Sequence, residues 1–284
     1  MTVFQLLSSN FFPIWSTPIA IEVDSSWGKF GTRKAAESGV DGVMDDAKLI
    51  RDWEGKIWIN FRNTLAFGYL ESQINPLHFS FTAGGTLEAY IRTSETITIQ
   101  GGKNFGFIPT EERRVVIDYD PVEVMEGWGG VKGMGRQGVS AGKGVGISGT
   151  SANLLSVLNG TSGVEEFFGL AHFRRPPSRG KNKFAVVGHH YSHVFFTIVR
   201  EGLEWKISRY SDEFLFPKLN GEGQDGEIIQ YAGGLDWGDE EHDSIVIGYG
   251  VNDCEGAFVK LEWDRVWERM RWRGPGMIKI LPPG

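Results

Sequence analysis

The 284-residue sequence holds one cysteine, Cys254, so no intramolecular disulfide can form, and the composition points to a reducing, cytoplasmic setting. No apolar run reaches about 18 residues, which leaves no segment for a membrane-spanning helix. The stretch from Met1 to Ile21 is broken by Ser8, Ser9, Asn10 and Pro13 and lacks a basic start. It does not read as a secretion signal, and the Asn159-Gly160-Thr161 sequon is accordingly read as chance. Blocks of like charge are missing as well, and the formal net charge is −7. An acidic chain without a basic stripe offers little to a phosphate backbone, so nucleic acid is not an expected partner. Long helical periodicities are almost absent. The exception is 264–271, where Val266, Trp267 and Met270 recur at helical spacing behind Asp264 as cap, with Gly274-Pro275 beyond.

What the chain does have is glycine (39 residues) and aromatics, ten of them tryptophan. Glycine-rich turns between aromatic and β-branched strands describe an all-β fold. One unit recurs: a polar signature, a short apolar strand, a turn and a second apolar strand. It begins at Asp45-Asp46, at Lys103-Asn104, at Phe168-Gly169-Leu170-Ala171-His172 and at Tyr231-Ala232-Gly233-Gly234-Leu235, a spacing of about 60 residues. Propeller blades run to roughly 40–50 residues, and here insertions supply the excess. Such hairpins cannot bury both faces alone, and stacking them around an axis does so. A composite blade from Pro18–Val23 and Ala257–Leu261 would close the ring. The expectation is a single domain over 1–284, a five-bladed β-propeller with a glycine-rich insertion at 127–149 and a short C-terminal helix.

Several stretches, in this order, resemble the five-bladed propeller superfamily of glycoside hydrolases that includes arabinanases, β-fructosidases and β-mannoside phosphorylases. They are Gly42-Val43-Met44-Asp45-Asp46-Ala47-Lys48-Leu49, Lys103-Asn104-Phe105, Gly149-Thr150-Ser151-Ala152-Asn153 with Phe168-Gly169-Leu170-Ala171-His172, Tyr191-Ser192-His193, and Tyr231-Ala232-Gly233-Gly234-Leu235 with Ile247-Gly248-Tyr249-Gly250-Val251-Asn252-Asp253. Together they span about residues 42 to 262, and the nearest likeness is to phosphorylase- and glycosyltransferase-related propellers. The resemblance implies chemistry on a glycosidic bond in the central funnel. Family hydrolases place separate carboxylates on different blades, whereas here only Asp45-Asp46 sits at such a signature. That departure favours glycosyl transfer or phosphorolysis over two-carboxylate hydrolysis, with phosphate or a nucleotide sugar as the anionic co-substrate.

On a regular strand Asp45 and Asp46 point to opposite faces, so only one reaches a funnel. Asp46 is the candidate general acid and Asp45 a substrate contact; the structural alternative is a carboxylate tying blades together. Lys103 and Asn104 are candidates for holding an anion and sugar hydroxyls, against a turn residue beside a solvated lysine. His172, Tyr191 and His193 complete the expected substrate-binding set. Tyr191 and His193 share a strand face, and satisfied polar groups at a blade edge are the competing account. His189 and His193 imitate metal spacing, but i,i+4 pairing needs a helix and Val194–Val199 reads as a strand, so neither a metal nor a cofactor is expected. Gly133-Met134-Gly135-Arg136-Gln137-Gly138 matches a dinucleotide fingerprint in form, yet no helix pattern follows it. A loop closing over the funnel and a plain surface insertion are the two readings of that segment. The partner expected throughout is a sugar or glycan. The alternative function is a non-catalytic propeller that binds glycan or protein.

Overall fold

The computed structural model describes residues 3–4, 19–23, 43–64, 70–100, 104–119, 122–128, 153–157, 164–175, 190–217, 229–252 and 255–272. Among them β-strands predominate, paired almost wholly antiparallel into five sheets, with one short α-helix. The chain divides into two compact units, Met1–Lys103 with Gly127–Gly138, and Asn104–Glu126 with Val139–Gly284.

The first unit contains β1 (Val3–Phe4), β2 (Ile19–Val23), β3 (Val43–Arg51), β4 (Ile57–Thr64), β5 (Leu70–Pro76), β6 (His78–Phe81), β7 (Leu87–Ile91) and β8 (Ile97–Gln100). One sheet runs β3-β4-β5-β8 and the other β1-β2-β7-β6. The hairpin between β3 and β4 is built as its sequence suggests. Gly55 takes a φ of 79° in the turn. The Asp52 carboxylate accepts the backbone N–H groups of Glu54 and Lys56 and the Trp58 indole N–H, an Asx-type closure. Between Asp45 and Lys48 the pairing with β4 slips by one residue, a β-bulge. Such a bulge interrupts the strict alternation of faces along the strand.

The composite closing blade is corrected. β2 lies between β1 and β7, pairing with β7 in parallel, while 257–261 belongs to a strand of the other unit. For 257–261 the physical reason is local: β18 follows β17 through a short turn and pairs with it at little loop-closure cost.

The second unit contains β9 (Gly106–Phe107), β10 (Val115–Tyr119), β11 (Val122–Met125), β12 (Leu155–Val157), β13 (Glu166–Arg175), β14 (His190–Glu201), β15 (Glu204–Tyr210), β16 (Gln230–Trp237), β17 (Ser244–Val251), β18 (Glu255–Glu262), α1 (Trp263–Trp267) and β19 (Arg271–Trp272). Its sheets run β9-β10-β11, β12-β13-β14-β15-β19 and β16-β17-β18. The β13–β14 ladder is regular over ten pairs, from Glu166↔Val199 to Arg175↔His190. Its two faces are therefore legible by alternation. Phe167, Ala171 and Phe173 pack with Phe196, Ile198 and residues Ile108, Val116 and Tyr119 in one core. Phe168, Leu170 and Phe195 pack with Ile245, Ile247 and Tyr249 in the other.

The C-terminal helix is shorter than its sequence period suggests. It covers Trp263–Trp267 after Glu262, which makes no side-chain cap, and Asp264 sits inside its first turn. Arg271 and Trp272 leave the helix to pair with Tyr210 and Arg209 of β15. Val266 and Met270 are buried against the core as the spacing implies.

Candidate functional site

The face of β13 and β14 that carries Phe168, Leu170 and Phe195 becomes polar at His172 and His193. In the register His172 stands opposite His193, and Arg174 opposite Tyr191. Three rings meet at this end. The His172 ring centroid lies 5.3 Å from that of Tyr191 and 4.9 Å from that of Tyr231 on β16. Tyr191 and Tyr231 meet edge to face at 5.7 Å. Edge-to-face contact lets each ring present a positive edge to a neighbour's negative face.

Asn104 joins them from the start of the second unit. Its side-chain oxygen accepts the Tyr231 hydroxyl, and its φ of 62° puts it in the left-handed region. Asparagine enters that region more cheaply than most residues. Asn153 is buried as well. The Asn153 amide donates to the Leu235 carbonyl, and Asn153 pairs with Phe107 in an isolated parallel bridge. His172 and Asn104 are buried, while Tyr191 and Tyr231 are half-buried.

No family model, no curated protein and no solved structure matches this chain.

His193 shares the strand face but lies deeper, with no exposed surface. Its Nε2 takes the backbone N–H of Ala232 at 3.4 Å, and its ring packs on Phe216 at 4.5 Å and Phe214 at 6.1 Å. A strap of chain after β15 holds those two phenylalanines in place. Phe214 exchanges two backbone hydrogen bonds with His193, at 2.8 and 2.9 Å. Gln230 clamps Phe216, accepting its N–H and donating to its carbonyl. Burial alone pushes the His193 imidazole down to about 3, because a buried imidazolium loses its hydration with no counter-charge.

Four of the seven residues expected from sequence thus lie close together in the second unit: Asn104, His172, Tyr191 and His193. Asp45 and Asp46 lie on β3 of the first unit, and their side chains are outside the described residues. Lys103 is outside them too, as is most of the 127–149 insertion. The sequence reading missed Tyr231 as a site residue, although it stood in the repeat signature. The available signal was its place at the start of a repeat unit, equivalent to that of Asn104. Among the described residues no three His, Cys, Asp or Glu side chains gather as a metal site.

Chemically, the group combines two phenol rings, an imidazole and an amide on one half-buried surface. Aromatic faces pack against the C–H side of a sugar ring, and the polar tips suit its hydroxyls.

Proposed function

We propose that this protein is carbohydrate-active, with His172, Tyr191, Tyr231 and Asn104 as its sugar-contacting group. The observation that carries the reading is that convergence: four segments distant in sequence bring rings and an amide together where two tyrosines keep part of their surface exposed. The sequence resemblance supports the same class. It adds the reaction, making or breaking a glycosidic bond by glycosyl transfer or phosphorolysis, with Asp46 as general acid. The proposal includes a five-bladed propeller with one sheet per blade. What supports it is the sorting of the strands into five sheets, with β9-β10-β11 and β16-β17-β18 running as sequential antiparallel meanders.

The test is calorimetric titration with a panel of β-mannosides and nucleotide sugars, each with and without phosphate. Tyr231→Ala is expected to weaken the best ligand at least tenfold, about 1.4 kcal/mol. Asp46→Asn is expected to keep that affinity and lose turnover. Silence across the panel would sink the reading. Binding by the wild type with turnover of none of these donors would make the protein a sugar-binding module instead.

A further inference from the structure

His193 sits beside the proposed sugar-contacting group without contacting solvent. Because Nε2 accepts the hydrogen bond of the Ala232 N–H, the imidazole hydrogen is on Nδ1. That Nδ1 has no hydrogen-bond partner among the described residues. A buried polar atom left unpaired costs free energy, and an apolar side chain of similar shape between Phe214 and Phe216 would avoid the cost. Packing therefore does not explain a histidine here. What only the histidine supplies is the Nε2 acceptor, and the amide it takes belongs to the residue next to Tyr231.

The pairing of β16 with β17 explains why this acceptor matters. The register slips between Ala232 and Gly234, so the ladder is irregular directly after Ala232, the residue next to Tyr231, and Gly233 has nothing within 4 Å of where a Cβ would stand. Backbone at a bulge is free to re-aim a side chain. The His193 bond on Ala232 ties the start of β16 to the N-terminal part of β14, which is itself regularly paired with β13 and bridged to the strap at Phe214.

We propose that His193 is a positioning residue: through the Ala232 N–H it fixes the backbone of β16 so that the Tyr231 hydroxyl meets Asn104 and its ring meets His172 and Tyr191. The inference rests on those residues being the sugar-contacting group, but its geometry can be read without any sugar.

Two variants separate positioning from bulk. His193→Gln puts a side-chain oxygen near the site of Nε2, and His193→Phe fills the space with no acceptor. Tyrosine-ring-labelled NMR, with Tyr191→Phe and Tyr231→Phe assigning the signals, reads the cluster directly, and amide hydrogen exchange reads Ala232. In His193→Phe we expect the Tyr231 ring resonance to move and Ala232 to exchange at least tenfold faster, while Ile198 in β14 stays protected. In His193→Gln both readouts are expected to return toward wild type. Unchanged Tyr231 and Ala232 signals in His193→Phe overturn the proposal, and so does equal disturbance in both variants. If His193→Phe fails to fold, His193→Gln decides alone: wild-type Tyr231 and Ala232 signals support the proposal and displaced ones overturn it. Loss of sugar binding from wild-type protein would count against the functional reading and leave these readouts intact.

Discussion

Among the described residues a single side chain, His193, carries the clearest condition-dependence. Its folded-state value, about 3, lies below the ordinary histidine value of 6.5, so the unfolded chain binds the extra proton first. The contribution of this group is full above pH 6.5 and is lost as pH falls from there toward 3. The slope is about 1.4 kcal/mol per pH unit over that window. Urea denaturation of wild type and His193→Gln from pH 7 to pH 4 is expected to show the variant losing less stability on acidification; parallel curves would refute it. At this scale the sequence was only partly informative. Histidine, tyrosine and asparagine could be named as polar residues in strand-like stretches, and alternation placed Tyr191 and His193 on one face. Depth could not be read, because Phe214 and Phe216 arrive from a segment whose path depends on Gln230.

Among the elements, the β13–β14 hairpin is the most demanding. Gly169 stands opposite Phe196, and a Cβ added there would lie 2.6 Å from Phe196 Cζ and 2.8 Å from Cε1. Phe196 has no exposed surface and packs edge to face on Tyr119, so it has nowhere to retreat. Gly169→Ala is expected to destabilise by about 1–3 kcal/mol, the usual range for overpacking, despite the higher strand propensity of alanine; a melting point equal to wild type would contradict this. Hairpins were the most legible level. The turn at Trp53–Lys56 is legible because its glycine is a sequence-local feature, and the runs at 57–61, 115–119 and 244–249 are strands because their β-branched and aromatic content is local too. The bulge after Asp45 was invisible, since it is a property of pairing with β4. The pairing of β2 with β7 was equally out of reach: an isolated five-residue strand carries no address for a neighbour 68 residues away.

For the whole molecule, the all-β class followed from glycine and aromatic content, while the assignment of strands to sheets did not. The second unit is discontinuous: residues 104–126 lend Ile108, Val116 and Tyr119 to a core otherwise drawn from 154–198. Each fully buried apolar side chain of this kind is worth about 1.5–3 kcal/mol. A fragment of 139–284 is therefore expected to melt well below one of 104–284, or to stay unfolded, as followed by circular dichroism. Equal melting points would mean that β9–β11 are dispensable. The first unit is discontinuous in the complementary way, and Trp128 meets Trp58 edge to face at 4.9 Å. On the ribosome the two rings emerge seventy positions apart, with all of β9–β11 made in between. The β3–β4 hairpin must thus wait, with one flank of its indole uncovered, while the opening strands of the other unit leave the exit tunnel. Its maturation is tied to the pace of translation through that stretch.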